Sequence, residues 1–279
     1  MDIIKKISEE IGCRTSQTEA AVKLIDEGNT IPFIARYRKE ATGALNDEQL
    51  RTLHERLTYL RNLEDKKAQV IASIEEQGKL TPELRAEIEA AETMVLVDDL
   101  YRPYRPKRKT RATVAKDKGL EGLANIISLQ MTSTPIRTEA EKYVSTEKGV
   151  ETVDDAISGA MDIIAENISD TADYRTKIRD LTTKKGFINT TAKDPDAESV
   201  YEMYYNFSAP ISKMTGYRTL AINRGEKEKF ITVKIEAPVD EIISYLRKKI
   251  IARDNSDTSE ILDNVIAVSY THLRAHETR

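Results

Sequence analysis

Apolar residues recur at three- and four-residue steps along most of the chain, and these steps predict helices. Ile3, Ile4, Ile7 and Ile11 share one face of a helix over residues 2–11, which Gly12 ends. Thr15 or Ser16 caps a second helix, with Ala20, Ala21, Leu24 and Ile25 on its apolar face and Gly28 at its end. A short third helix runs from Phe33 to Lys39. Together these give a helix-turn-helix-like layout. Asn46 caps a long helix carrying Leu50, Leu53, Leu57, Leu60 and Leu63, then Val70, Ile71 and Ile74, and ending at Gly78. Its heptad breaks at Lys66 and Lys67, which favours a core stripe over a dimeric coiled coil. Thr81-Pro82-Glu83 opens another helix, with a cap and a proline at the first position.

Met94 to Leu100 is apolar and carries Asp98 and Asp99 near its end, adjacent acids suited to pairing with nearby arginines. Pro103 and Pro106 then force extended backbone through YRPYRPKRKTR. Helical spacing resumes over 120–129, 139–143, 153–168 and 172–181. Ala156, Ile157, Ala160, Ile164 and Ile168 make a narrow, small-residue face suited to close helix packing. After Gly186 the pattern changes. Thr219-Leu220-Ala221-Ile222 and Phe230 to Ile235 read as strands around the turn Asn223-Arg224-Gly225-Glu226. Pro238-Val239-Asp240 opens a helix to Ile251, and a last helical pattern follows Asp257. The fold class is mainly α, with a small β-hairpin near 217–236. The expected organisation is an N-terminal helical region over 1–78, a central helical region over 79–200 with a basic loop at 101–118, and a mixed segment over 201–267.

Composition narrows the setting. Charged residues make up 32% of the chain, and no apolar run is long enough to span a bilayer. The start, MDIIKKISEE, mixes charges of both signs and is no signal peptide. Cys13 is the single cysteine, so no disulfide framework forms within the chain, and a reducing cytoplasm is expected. The formal charge of −4 argues against a uniformly basic coat, yet residues 101–118 hold eight basic residues and one acid, a net +7. Arg102, Arg105, Lys107, Arg108, Lys109 and Arg111 are the candidate nucleic-acid contacts: cations on a proline-stiffened loop track phosphates while Tyr101 and Tyr104 stack on bases. The competing reading pairs this loop with the acidic helix at 83–92 or with Asp98 and Asp99. Arg36, Arg38 and Lys39 form a second basic strip. There, i,i+2 spacing keeps Arg36 and Arg38 off one helix face, so at least one is expected to point back into the protein at a joint ending at Gly43.

No phosphate-loop, dinucleotide, zinc-protease or nucleophile-elbow motif is present, so no enzyme, metal or cofactor is expected. His54 lies in the long helical pattern and is expected at its surface. The last residues, VSYTHLRAHETR (268–279), resemble the in-frame translation of a sequencing adapter, which strips meaning from the i,i+4 pair His272 and His276.

Four stretches, TIPFIARYRKEATGAL, LYRPYRPKRKTRATVAKDKGLEGLA, AISGAMDIIAE and LAINRGEKE, resemble in this order the signature segments of the Tex family of bacterial RNA-binding transcription accessory proteins. The resemblance covers residues 1–267. It implies a helical N-terminal and central region that leads, in the family, to RNase-H-like, helix-hairpin-helix and OB-fold domains beyond this chain. It also implies partners: RNA or DNA, bound mainly through those further domains, and transcription or translation machinery, with no membrane role. The alternative is a helical scaffold that contacts polymerase or ribosome without touching nucleic acid. The family brings no catalytic residue to this stretch.

Overall fold

The computed structural model describes residues 2–106, 109–252 and 257–277. It divides into two compact units, Met1–Tyr104 and Arg105–Arg279.

In the first unit, six helices assemble around a spine. They are α1 (Ile3–Ile11), α2 (Thr15–Asp26), α3 (Ile31–Tyr37), α4 (Asp47–Glu76), α5 (Pro82–Ala90) and α6 (Met94–Tyr101). The helical region expected over 1–78 therefore continues through α5 and α6. The spine α4 starts as its sequence predicts. The Asn46 side chain accepts from the Gln49 N–H at 2.8 Å, and Gln49 accepts in return from the Asn46 N–H at 3.1 Å, which satisfies orphan donors at both positions. The stripe Leu50, Leu53, Leu57, Leu60, Leu63, Val70 and Ile74 is buried against α1, α2, α3 and α6. At the break in that stripe, Lys67 is itself buried. Its ammonium donates to Glu64 at 2.8 Å and to the Glu89 carbonyl at 2.9 Å, so the stem packs while the charge is met at the end of α5. Two bidentate arginines tie the spine to its neighbours: Arg56 of α4 to Glu10 of α1, and Arg61 of α4 to Asp26 of α2.

The second unit is built on α10 (Val153–Asp170). Around it lie α7 (Arg111–Asp117), α8 (Glu121–Leu129), α9 (Ile136–Glu141) and α14 (Asp257–Glu277). Ala156, Ala160, Ile164 and Ile168 of the small-residue face are buried in this unit's core, and at Gly159, which the sequence reading did not single out, an added Cβ would stand 2.3 Å from a Leu120 methyl and 3.3 Å from the Ala115 Cβ. α11 (Ala172–Lys185) leads to a sheet formed by β1 (Phe187–Ala192), β2 (Asn206–Pro210) and β3 (Ile231–Glu236), with α12 (Gly216–Lys227) between the last two strands and α13 (Val239–Ile250) after them. The strand order is β2-β1-β3, antiparallel throughout, with Thr190 opposite both Phe207 and Val233.

This corrects the hairpin near 217–236. Its second strand is β3, but its partner is β1. Thr219–Ile222 lies inside helix α12. Gly225, read as a turn residue, is buried in α12, where a Cβ would sit 3.1 Å from Ile231 and from the Tyr201 ring. The glycine allows helix and sheet to approach; it does not reverse the chain. β1 and β2, FINTTA and NFSAP, carry too few apolar residues to show an alternation in the sequence. At the other end of the unit, α14 continues past residue 267. Ser269 is fully buried and donates to the Val265 carbonyl at 2.7 Å, and Tyr270 packs with Ile178, Ile242, Leu246 and Ile266.

Candidate nucleic-acid interface

The boundary between the two units falls inside the basic strip, after Tyr104. Arg102 belongs to the first unit. It caps α6, is half-buried, and donates its backbone N–H to the Asp99 carbonyl at 3.4 Å. The neighbouring tyrosines also belong there. The Tyr101 hydroxyl is 2.9 Å from that of Ser73, the Tyr104 carbonyl accepts from Gln77 at 3.0 Å, and both rings pack on the first unit's core. Both side chains are half-buried there.

Arg105, Lys109 and Arg111 belong to the second unit and are exposed. Lys107 and Arg108 lie outside the described residues. Lys109 and Arg111 flank Thr110, whose hydroxyl caps α7 by accepting the Thr113 N–H at 3.0 Å and donates to Glu166 at 3.0 Å. Two further cations of the basic stretch are engaged with protein: Lys116 lies 3.9 Å from Glu166, and Lys118 donates to the Gly149 carbonyl at 2.6 Å. The pairing of the loop with nearby acids fares unevenly. Asp98 is taken by Lys66 at 3.0 Å and Glu92 by Lys6 at 2.9 Å, while Asp99 is buried.

The other basic strip differs from its expectation. Ile34 is the buried residue of α3, and Arg36, Tyr37, Arg38 and Lys39 are all exposed. The i,i+2 argument fails because α3 ends at Tyr37. Arg38 adopts φ −128°, ψ 25°, outside the helix, and its side chain swings back until the guanidinium carbon is 5.4 Å from the Phe33 ring centroid. The joint itself lies just beyond. Thr42 is fully buried, and Gly43 takes φ +59° with the Gln17 side chain 2.7 Å from where a Cβ would be. Gln17 of α2 donates to the Gly43 carbonyl at 2.8 Å and accepts the Arg14 N–H at 3.0 Å, so one side chain both opens α2 and fixes the turn into α4.

Elsewhere, His54 is exposed on α4, and Cys13 is half-buried with its Sγ 3.2 Å from the Thr18 hydroxyl. Among the described residues no group of three or more His, Cys, Asp or Glu is placed to hold a metal ion, and no helix is long and apolar enough to cross a membrane. The side chains of His272 and His276 lie outside the described residues.

Two family models match the chain, one within each compact unit. Tex-like protein N-terminal domain matches residues 1–75, and Tex central region-like matches residues 131–266. The chain belongs to the Tex family, of which it carries the N-terminal and central regions. It is 46% identical over 272 residues to the uncharacterized protein YdcI of Bacillus subtilis, covering 96% of this chain and 38% of that protein. It is 39% identical over 244 residues to the transcriptional accessory protein Tex of Neisseria gonorrhoeae, covering 86% and 32%. With the human S1 RNA-binding domain-containing protein 1 it shares 29% identity over 244 residues, covering 84% and 24%. The chain thus spans well under half the length of these relatives.

Proposed function

We propose that this chain is the N-terminal scaffold of a nucleic-acid-binding transcription accessory protein that acts on RNA. The single observation that carries this reading is the match along nearly the whole chain to relatives that include a transcriptional accessory protein and an S1 RNA-binding-domain protein. Within the chain, the exposed Arg105, Lys109 and Arg111, with Lys107 and Arg108 between them in sequence, serve as an auxiliary phosphate contact. The test is Arg105→Ala, Lys107→Ala, Arg108→Ala and Lys109→Ala together in a full-length protein carrying this stretch. RNA binding is expected to weaken, and the slope of log affinity against log salt to flatten by about 0.7 for each lost phosphate contact on a single strand. Unchanged affinity and slope would remove the strip from the interface.

A second reading is a protein-interaction scaffold. One observation favours it: Tyr217 and Leu220, three residues apart on α12, are exposed at 66% and 69%. Pull-down with the chain before and after nuclease treatment separates the readings. Nuclease-resistant capture of polymerase or ribosomal proteins, abolished by Leu220→Lys, supports the scaffold; loss of all partners on nuclease treatment supports nucleic-acid bridging.

A further inference from the structure

We infer that the outward edge of α3 is a docking surface for single-stranded nucleic acid, with Phe33 and Tyr37 as its stacking platform and Arg36, Arg38 and Lys39 as its phosphate contacts. The inference rests on the nucleic-acid reading above and adds a site separate from the basic strip at 102–111. Phe33 and Tyr37 are one helical turn apart, with ring centroids 5.3 Å apart and planes tilted by 44°. Tyr37 is 67% exposed and Phe33 is 36% exposed. The Arg38 guanidinium lies 5.4 Å from the Phe33 centroid, within cation–π range, so cation and rings form one continuous surface. Neither ring is among the buried core residues; the buried residue of α3 is Ile34.

Charge selects the occupant. Arg36, Arg38 and Lys39 crowd into four positions, followed by the single acid Glu40. Among the described residues, carboxylates of this unit pair with other cations: Glu10 with Arg56, Asp26 with Arg61, Asp47 with Arg51, Glu64 with Lys67, Glu75 with Arg85, Glu92 with Lys6 and Asp98 with Lys66. Among the described residues none is an ion-pair partner of Arg36, Arg38 or Lys39. Free cations beside flat, accessible rings match a polyanion that carries flat, accessible rings of its own. A single strand has unstacked bases and repeating phosphates, and a duplex hides the bases.

The test uses the 279-residue chain and a fluorescein-labelled oligouridine of about 10 nucleotides, with oligothymidine and poly-glutamate as comparison probes. Tyr37→Ala is expected to weaken oligouridine binding about tenfold, and Tyr37→Phe to leave it unchanged, because stacking uses the ring and not the hydroxyl. The triple variant Arg36→Gln, Arg38→Gln, Lys39→Gln is expected to flatten the salt slope by about 2. A 4-thiouridine probe is expected to crosslink to the peptide holding Phe33 and Tyr37. Comparable binding of oligothymidine leaves the surface in place and makes it indifferent to the sugar. Three results overturn the inference: no binding of either oligonucleotide, crosslinks confined to residues 101–111 with Tyr37→Ala unchanged, or poly-glutamate competing with equal affinity. The function proposed above is judged separately, on the full-length salt dependence, and survives any of the three.

Discussion

Gly159 sits in the interior of α10, where replacement by alanine should, on helix propensity alone, stabilise by about 1 kcal/mol. The structure reverses that sign. The new Cβ would stand 2.3 Å from a Leu120 methyl, against about 3.5–4.0 Å for carbons in favourable contact. Leu120 must therefore retreat by more than an ångström. It is fully buried in the cluster that holds Ala115, Leu123 and Ala160, so retreating displaces close-packed neighbours. Overpacking of this kind costs about 1–3 kcal/mol, which leaves a net loss of about 1 kcal/mol once the propensity gain is counted. A second variant isolates the cause. Leu120→Ala alone should destabilise by about 2–5 kcal/mol, and Gly159→Ala added to it should then recover part of that loss, because the new methyl occupies the vacated space. Hydrogen exchange resolved to α7, α8 and α10 is the suitable measurement, since each unit has its own core and a global melt mixes them. If Gly159→Ala protects the α10 amides more than the parent glycine does, the close-packing argument fails.

Two further predictions concern the first unit. Lys67→Met should be within about 1 kcal/mol of the parent, because half-exposed Glu64 and exposed Glu89 keep access to water, while Lys67→Ala should cost about 2 kcal/mol by emptying the site. Hydrogen exchange along α4 measures both, and equal losses would mean that the ammonium bonds, not the packed stem, hold α5. The hydrogen bonds from Arg56 and Arg61 hold Glu10 and Asp26 below their ordinary carboxylate values. Groups depressed on folding stabilise fully above their unfolded values, about 4.3 and 3.9, and lose that contribution as pH falls through the folded ones. Both pairs are a third to half exposed, so each is worth no more than about 1 kcal/mol. Urea midpoints of the first unit should fall below about pH 4.5, and Glu10→Gln with Asp26→Asn should flatten that fall; an unaltered acid profile in the double variant would exclude these pairs as its source.

The parts of the fold legible in the sequence were those fixed by local chemistry repeated over many residues. The leucine stripe of α4, the Asn46 cap, the Thr81-Pro82 start and the small face of α10 each rest on spacing within one element. The Thr81 hydroxyl accepts from Leu84 at 3.2 Å as its cap position requires. The parts that stayed hidden depend on partners distant in sequence. Thr219–Ile222 has the composition of a strand, but β3, the partner expected for it, pairs with β1, and Thr219–Ile222 lies inside α12. Lys67 looked like a break in the stripe because nothing local announces the Glu89 carbonyl that receives it.

The two basic strips also depend on partners distant in sequence. The strip at 102–111 reads as one continuous grip, yet the division between compact units falls within it, and the neighbouring Tyr101 and Tyr104 are partly buried against the first unit's core. The strip at 36–39 reads as a buried joint, yet its joint is carried by Thr42, Gly43 and Gln17, which frees every charged side chain before them. Because Ile34 anchors α3 from below and Gln17 fixes the turn that follows, the exposed rings are presented on ordered backbone. A ligand meeting them has less side-chain and loop freedom to quench, where ordering costs about 0.5–1.5 kcal/mol per mobile side chain. Loosening that mount without touching a ring or a cation therefore has a defined consequence. Gln17→Ala removes both bonds to the 42–43 turn, and it should weaken oligouridine binding to the α3 edge through slower association or faster release while the salt slope stays at its parent value. A change of slope in that variant would mean that Gln17 positions the cations directly, and unchanged affinity would mean that the rings need no such mount.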